Sequence, residues 1–258
     1  MRIGFVGAGR MGRPVVRRLV QAGHELRVLA RSADTRDALA REGVRVAADL
    51  PDVAHDADVV LVCVHTDEQV RAVCLDGGLD GGLTGGTVVV HTTGSPHTAE
   101  AIARRGWSVV DAPFSGGPHD VAAGRVTLFV GGDDETVARV GPVLSCYGDP
   151  VLHVGPLGAG QRVKLINNAL FAAHIGLLDD AVRLGTQLGV PEQVLVEALQ
   201  HGSAASRALS GVASRGSVAA FNEAVREFVG KDVDIVRRLA AELGGDLGAI
   251  EGALAVSH

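Results

Sequence analysis

One glycine-rich segment near the start of the chain constrains the fold most. The sequence RIGFVGAGRMG begins with an apolar run and continues with Gly7, Gly9 and Gly12 in the spacing G-x-G-x-x-G. The first glycine permits a tight turn, the second lets the backbone approach a pyrophosphate, and the third lets helix and strand pack closely. We therefore predict a strand, a dinucleotide-binding loop that includes Arg10 and Met11, and a helix. The alternative is a glycine-rich turn in a domain that binds something else.

The end of the second predicted strand indicates which dinucleotide is bound. This strand covers Glu25–Ala30, and a site that prefers NAD carries a carboxylate there to bind the ribose 2′-hydroxyl. Arg31 and Ser32 follow instead of an acid, with Arg36 close behind. A guanidinium can bind a phosphate through two N–H bonds. We therefore predict NADP(H) in preference to NAD; the alternative is a solvated Arg31 and a loose preference.

The later strands of this half bring further groups to the same edge of the sheet. The apolar strand Val59–Val64 should end beside the cofactor, which makes Val64 a predicted contact. The hydroxyl of Thr93, after the next strand, could reach the nicotinamide ribose or the substrate, or could stabilise the turn. His91 and His97 have no partners at metal-ligand spacing. We interpret both histidines as structural and predict no metal site.

A second glycine-bearing loop predicts an anion site. A strand ends near Asp111, and the following F-S-G-G run combines backbone N–H groups with one hydroxyl. Amides without side chains form an anion-binding concavity. Ser115, Gly116 and Gly117 are therefore predicted to hold a carboxylate. The alternative is an ordinary turn between a strand and a helix.

The segment Gly155–Asn168 passes from glycines into a long predicted helix, Gln161–Leu188. Lys164 and Asn168 are four residues apart, so they project from one face of that helix. A lysine in this position could donate or accept a proton, because burial or a neighbouring cation can lower the pKa of an ammonium toward neutrality. The alternative is an exposed lysine beside a capping amide.

The pattern of elements changes at this segment and defines the fold class. Before it, Val-rich runs alternate with helix-like segments, and after it the pattern is almost entirely helical. We predict an α/β protein with a Rossmann-type dinucleotide-binding domain over residues 1–160. A smaller all-α domain over residues 161–258 follows, joined to the first by the long helix.

Composition excludes several classes of protein. The chain has 258 residues, 47% hydrophobic and 21% charged, and its formal net charge of −6 gives no sign of a nucleic-acid surface. No apolar run is long enough to span a bilayer, and no charged-then-apolar leader follows Met1, so we expect no signal peptide. The odd number of cysteines without a CxxC pair argues against a disulfide framework. We expect a cytoplasmic protein.

Four stretches in one order carry a resemblance to a known family. They are Gly4–Gly12, Asp111–Gly117, Gly158–Asn168 and Val229–Val236. Together they resemble the β-hydroxyacid dehydrogenase family, which includes 3-hydroxyisobutyrate dehydrogenase and, more distantly, 6-phosphogluconate dehydrogenase. The resemblance implies an NADP(H)-dependent oxidoreductase that transfers a hydride between nicotinamide and a small β-hydroxy acid or the corresponding semialdehyde or keto acid.

The resemblance also implies roles for individual residues. By similarity, Lys164 is the proton donor or acceptor, and Asn168 orients the substrate and the lysine. The S-G-G loop binds the substrate carboxylate, and Thr93 lies near the nicotinamide end of the site. Lys231, with Asp232 beside it, lies near the cofactor and the active site.

Departures from the family pattern leave alternatives open. Pro118, His119 and Asp120 stand where small apolar residues and glycine are common, so His119 could reach the substrate or remain a solvated loop histidine. The chain stops at His258, sooner after Lys231 than is usual, and we expect altered dimer contacts and pocket closure. The apolar second half nevertheless predicts a homodimer or larger homo-oligomer.

Two other functions remain as alternatives to the dehydrogenase. One is a non-catalytic NADP-binding sensor or assembly subunit, which the short C-terminal half favours. The other is an imine-reductase-like enzyme, which the presence of Lys164 disfavours because imine reductases usually lack this lysine. In each case a small molecule, and not a nucleic acid or a membrane, is the predicted partner.

Overall fold

The computed structural model describes residues 1–76, 78–79 and 82–254. The chain divides into two compact units, Met1–Lys164 and a second that begins at Leu165. The strands are β1 (Arg2–Val6), β2 (Glu25–Leu29), β3 (Arg45–Val46), β4 (Val59–Val62), β5 (Thr87–Val90), β6 (Ser108–Asp111), β7 (Phe114–Ser115), β8 (Val126–Gly131) and β9 (Gly148–Gly155). The helices are α1 (Gly12–Gln21), α2 (Ala33–Arg41), α3 (Leu50–Ala54), α4 (Asp67–Cys74), α5 (Pro96–Ala103), α6 (Pro118–Ala122), α7 (Asp134–Leu144), α8 (Ala159–Gln187), α9 (Glu192–Gln200), α10 (Arg207–Arg215), α11 (Val218–Glu242) and α12 (Ala249–Leu254).

The first unit is built on a single twisted sheet. Its strand order is β3-β2-β1-β4-β5-β6-β8-β7, and β9 lies beside β8. Strands β1 to β6 pair in parallel, whereas β8 runs antiparallel to β6 and β7. The strand order reverses between β1 and β4, and the crevice at the carboxyl ends of such strands is where dinucleotides bind. The predicted Rossmann-type fold is thus confirmed.

The central strand β4 is apolar at every position because helices cover both faces of the sheet. In β4 the side chains alternate between two cores: Val59 and Leu61 pack on one face, and Val60 and Val62 pack on the other. All four are fully buried. Burying each such side chain stabilises the fold by about 1.5–3 kcal/mol. Burial on both faces of the sheet fixes the position of β4 and therefore of the residues at its carboxyl end.

The second unit contains only helices among its described residues. Its main core joins α8, α9, α10 and α11 through residues such as Ile175, Val196, Leu209 and Val229. A smaller cluster packs Leu165 and Ala169 of α8 against Ile235 and Val236 of α11. The all-α character predicted for this part of the chain is confirmed, whereas the predicted domain boundary stays a prediction.

One face of α8 is apolar and exposed. Within the apolar run Leu170–Leu178, Leu170 is 45% exposed and Leu177 is 55% exposed. Ile166 and Leu184 are also exposed, at 58% and 54%. Their spacing of four and seven residues puts all four on one face of the helix. The opposite face carries the buried Lys164 and Asn168.

Two further findings bear on location and chemistry. Within the described part of the chain, no helix is long and apolar enough to cross a membrane. The thiols of Cys63, Cys74 and Cys146 are free. Burial raises the pKa of both Cys63 and Cys74 to about 12, so neither is an activated nucleophile.

Candidate active site

The loop after β1 presents an uncapped helix N-terminus. α1 begins at Gly12, with Met11 at its N-cap, and neither a side-chain cap nor an acid in the first turn accompanies it. A Cβ on Gly7 would lie 2.1 Å from the carbonyl oxygen of Cys63, and one on Gly12 would lie 2.1 Å from that of Gly7. A Cβ on Gly9 would meet nothing within 4 Å. The loop is therefore tightly built and open on one side, which fits a pyrophosphate at the positive end of α1.

Cationic and hydroxyl groups follow β2. Arg31 is exposed, and the guanidinium of Arg36 donates to the carbonyl oxygen of Arg31 at 2.8 Å. Ser32 is the N-cap of α2, and its hydroxyl oxygen accepts from the N–H of Thr35 at 3.2 Å. The nearest acid along the chain, Asp34, lies in the first turn of α2. The segment directly after the strand therefore carries no carboxylate of the kind that binds a ribose 2′-hydroxyl.

Hydrogen bonds tie the ends of β4 and β5 together. The hydroxyl of Thr92 donates to the carbonyl oxygen of Val64 at 2.9 Å and accepts from its N–H at 3.1 Å. Thr93, the next residue, is half-buried. Asp67, at the start of α4, accepts from the hydroxyl of Thr98 at 2.6 Å. These contacts hold Val64 and the Thr93 segment at one edge of the sheet.

The two histidines of this region make contacts that agree with a structural role. His91 is 1% exposed; its Nδ1–H donates to the carbonyl oxygen of Ala112 at 2.6 Å, and its Nε2 accepts from the hydroxyl of Tyr147 at 2.8 Å. Burial lowers the pKa of His91 to about 4. His97 is exposed and lies 3.1 Å from a carboxylate oxygen of Glu100. The described residues contain no group of three or more His, Cys, Asp or Glu side chains that could hold a metal ion.

The S-G-G loop is partly hydrogen-bonded by the protein itself. Phe114 and Ser115 form β7, in which Ser115 pairs with Thr127 of β8. The N–H of Gly117 donates to the carboxylate of Asp120 at 2.7 Å, and Gly117 is the N-cap of α6. The N–H of Gly117 is therefore already bound by an acid in the first turn of α6, and the carboxylate-binding role of Ser115, Gly116 and Gly117 stays a prediction. His119 is exposed.

The start of α8 is held by a buried carboxylate. Asp111, at the end of β6, accepts from the N–H of Gly158 and from that of Gln161, each at 2.6 Å. A Cβ on Gly160 would lie 2.3 Å from the carbonyl oxygen of Phe129, so only glycine allows this close approach. Burial raises the pKa of Asp111 to about 6 and outweighs the two N–H bonds, which act in the opposite direction.

α8 carries the predicted proton-transfer pair on its buried face. Lys164 is 9% exposed and Asn168, one turn later, is 3% exposed. Within the second unit, Asn168 donates to Asp232 at 2.5 Å and accepts from the side chain of Asn167 at 3.0 Å. The ammonium of Lys231 lies 3.4 Å from the other carboxylate oxygen of Asp232. The amide of Asn168 is therefore held in a fixed orientation by a buried acid.

Four residues that were not predicted as site residues bind the segments that carry the site or the site residues themselves. Asp111 and Gln161 lie within two of the four stretches that carry the family resemblance, Asp111–Gly117 and Gly158–Asn168. Asp120 follows Gly117 at the spacing of a helix-capping acid, and that spacing could have revealed its contact. Asp232 was noted only as the neighbour of Lys231.

The fold and these loops define a dinucleotide-binding α/β protein with a helical second unit. Residues 2–155 match the profile of the NAD binding domain of 6-phosphogluconate dehydrogenase. Residues 158–255 match that of the NAD-binding domain of NADP-dependent 3-hydroxyisobutyrate dehydrogenase. The chain therefore belongs to the β-hydroxyacid dehydrogenase family, as the ordered motifs predicted.

Individual relatives agree with this family. The chain is 35% identical over 214 residues to NAD-dependent L-serine dehydrogenase of Pseudomonas aeruginosa, an alignment that covers 81% of this chain and 72% of the relative. It is 33% identical to 3-hydroxyisobutyrate dehydrogenase of the same organism, with the same coverage. The solved structure of Mycobacterium tuberculosis 3-hydroxyisobutyrate dehydrogenase with L-serine superposes with a TM-score of 0.86 at 27% identity, over 99% of this chain and 92% of that one. These findings support an NAD(P)-dependent hydroxyacid dehydrogenase.

Proposed function

We propose that this protein is an NADP(H)-dependent oxidoreductase. Its substrate is a small β-hydroxy acid or the corresponding semialdehyde or keto acid, and Lys164 is its general acid and base. The observation that carries the proposal is the burial of Lys164 on the same helix face as Asn168. Lysine is rarely buried, so the burial of Lys164 beside Asn168 supports a specific role for its ammonium.

The choice of lysine at this position supports the role. Only two of the 24 Lys and Arg residues in the chain are lysines, Lys164 and Lys231, and both fall in the family motifs. Arginine remains protonated in proteins, whereas an ammonium can give up its proton. At the proposed proton-transfer position 164 the chain thus has a lysine, although most of its other cationic residues are arginines.

The mechanism assigns one task to each group. When bound, the nicotinamide supplies or takes up the hydride. Lys164 Nζ donates a proton to the substrate carbonyl oxygen in reduction and accepts the hydroxyl proton in oxidation. The hydroxyl of Ser115 and the N–H of Gly116 hold the substrate carboxylate, and the amide of Asn168 orients the reacting oxygen. Such positioning can supply about 7–11 kcal/mol of the barrier at most.

Substitution of Lys164 tests the mechanism. Lys164→Ala and Lys164→Arg should each lower kcat by about 10²–10⁴-fold and leave NADPH affinity nearly unchanged, because neither side chain can exchange the proton. Cofactor absorbance would follow NADPH with glyoxylate and small semialdehydes, and NADP with L-serine and 3-hydroxyisobutyrate, each repeated with NAD(H). Turnover by Lys164→Arg equal to wild type would refute the proton-transfer role.

The same screen separates the enzyme from a non-catalytic binder. Tight NADPH binding by the wild type without turnover of any substrate in the panel would favour a sensor or an assembly subunit. Turnover of a cyclic imine in place of a carbonyl substrate would favour imine-reductase chemistry. Turnover of a β-hydroxy acid or semialdehyde supports the proposal.

The preference for NADP rests on the segment after β2. Arg31 is exposed, Ser32 caps α2, and no acid stands directly after the strand. The Pseudomonas L-serine dehydrogenase is named as NAD-dependent, so affinity for each cofactor must be measured. Arg31→Ala should weaken NADPH binding about tenfold, the loss of one charge-assisted contact, and leave NADH binding unchanged. Arg41→Ala, at the other end of α2, is the matched control.

We further propose that a second copy of the chain covers the exposed apolar face of α8. Ile166, Leu170, Leu177 and Leu184 are each 45–58% exposed on that face, and contiguous apolar surface of this kind marks protein–protein contacts. Light scattering should give a dimer or larger oligomer, and Leu177→Glu should give a monomer. Leu243→Glu, at a residue that is 88% exposed outside this face, is the control and should leave the oligomer intact.

A further inference from the structure

The side chain of Gln161 is fully engaged by the protein itself. Its Oε1 accepts from the N–H of Gly94 at 3.0 Å, and its Nε2–H donates to the carbonyl oxygen of Thr92 at 2.8 Å. Gln161 is 1% exposed. Each end of the buried carboxamide is therefore hydrogen-bonded to a backbone group of the Thr92–Gly94 segment.

The backbone of the same residue is held from the other side. The N–H of Gln161 donates to Asp111 at the end of β6, while its side chain binds the segment that follows β5. Thr92 in turn binds Val64 after β4 through its hydroxyl. Gln161 thus joins the first turn of α8 to a hydrogen-bonded series that crosses three neighbouring strand ends.

The residues on either side of these contacts are the predicted reacting ones. Lys164 follows Gln161 by three residues, so the two lie on adjacent turns of nearly the same helix face. Thr93 lies between Thr92 and Gly94, the two residues that bind the carboxamide. One side chain therefore fixes the distance between the turn that carries Lys164 and the segment that carries Thr93.

We propose that Gln161 is a positioning residue for proton transfer. It acts through Lys164, whose helical turn it ties to the Thr92–Gly94 segment, and it does not touch the substrate. The inference rests on the proposed function of Lys164. An error of about 1 Å in the position of a reacting group can lower a rate by about 10²-fold, so the two hydrogen bonds of Gln161 should govern turnover and not cofactor binding.

The test compares two variants with a matched control. Gln161→Met keeps an unbranched side chain of similar length and removes both hydrogen bonds. Gln161→Glu keeps the acceptor for Gly94 but turns an oxygen toward the carbonyl of Thr92. Asp49→Ala removes another hydrogen bond of the same unit, the one from the N–H of Asp52 to the side chain that caps α3. Each is assayed for kcat, KM, NADPH affinity, thermal stability and the primary isotope effect with deuterated NADPH.

We expect Gln161→Met to lower kcat about 10–100-fold, to raise the primary isotope effect because chemistry becomes rate-limiting, and to keep NADPH affinity within about twofold. Asp49→Ala should match the wild type in all three quantities. For Gln161→Glu, kcat relative to wild type should recover at low pH, because a protonated carboxyl can again donate to the carbonyl oxygen of Thr92. The neighbouring buried acid Asp111, which accepts from the N–H of residue 161, is present in both proteins, so the ratio to wild type reports on the substituted side chain.

The outcomes separate this inference from the proposed function. If kcat of Gln161→Met falls only in proportion to the folded fraction, with an unchanged isotope effect, Gln161 is merely structural and the inference fails. If the wild type turns over but both Gln161 variants match it, the inference fails while the proposed function stands. A wild type without turnover on the whole panel overturns both.

Discussion

Two glycine loops of this protein look alike in sequence and differ in structure. The loop before α1 leaves its helix N-terminus without a side-chain cap and without an acid in the first turn. The loop before α6 has its last amide bound by Asp120, three residues further along. Both loops were predicted to bind anions. The residues after a glycine loop therefore decide whether its N–H groups remain available.

The physical basis is the competition for unpaired N–H groups at a helix start. Such groups have no acceptor within the helix, and the helix dipole makes them attractive to any anion. At α1 neither a capping side chain nor an acid of the first turn competes, so these N–H groups are suited to a pyrophosphate. In α6 the carboxylate of Asp120 already occupies the Gly117 amide, and only Ser115 and Gly116 remain for a substrate.

The largest effect should come from adding a side chain at the crowded glycine of the loop before α1. A Cβ on Gly12 would lie 2.1 Å from the carbonyl oxygen of Gly7, so Gly12→Ala should destabilise the fold by about 3 kcal/mol and lose NADPH binding. Gly9→Ala faces open space and should keep its melting temperature within about 3 °C while it weakens NADPH binding about tenfold. Thermal melts and fluorescence titration measure both. Wild-type NADPH affinity in Gly12→Ala would contradict the role of this close contact.

Asp111 adds a third case, in which an acid from a distant strand caps α8. Its pKa of about 6 lies above the ordinary 3.8, so between pH 4 and 6 the folded state binds more protons than the unfolded state. Its contribution to the unfolding free energy therefore falls as pH rises through this window, by a total on the order of 3 kcal/mol.

Asp111→Asn should remove this decrease of the unfolding free energy with rising pH. His91, with a pKa lowered to about 4, acts in the opposite sense and makes stability rise between pH 4 and 6.5. The unfolding free energy of Asp111→Asn should thus increase more steeply with pH than that of the wild type. Urea denaturation at several pH values from 4.5 to 7 measures the difference, and parallel curves would show that Asp111 is not the source.

Local patterns predicted much of the fold. The loop after β1, the buried strand β4 and the long helix α8 all follow from periodicity, glycine spacing and apolar runs within a few residues. Lys164 and Asn168 could be assigned to one helix face for the same reason. The expected and observed limits of that helix, Gln161–Leu188 and Ala159–Gln187, differ by two residues or fewer.

Contacts between distant parts of the chain could not be predicted in this way. Asp111 binds Gly158 across 47 residues, and Gln161 binds Thr92 across 69. No periodicity encodes such pairs, because they depend on the order of strands in the sheet. The hydrogen bond at Gly117 is instead a local contact, since it comes from an acid three residues away whose capping role the glycine pattern obscured.

The most direct test removes the acid that binds the loop before α6, so that its amides are left unbound like those before α1. Asp120→Ala removes the carboxylate bound to Gly117 and the negative charge beside the S-G-G loop, at a cost of about 1 kcal/mol for the lost cap. A substrate carboxylate would then gain a third donor and lose a repulsive neighbour, so KM for a carboxylate substrate should fall about tenfold, or about 1.4 kcal/mol. His119→Ala, at the exposed neighbour, should leave KM unchanged. If Asp120→Ala raises KM, the acid serves the substrate, and the two loops differ in the ligand they select and not in the availability of their amides.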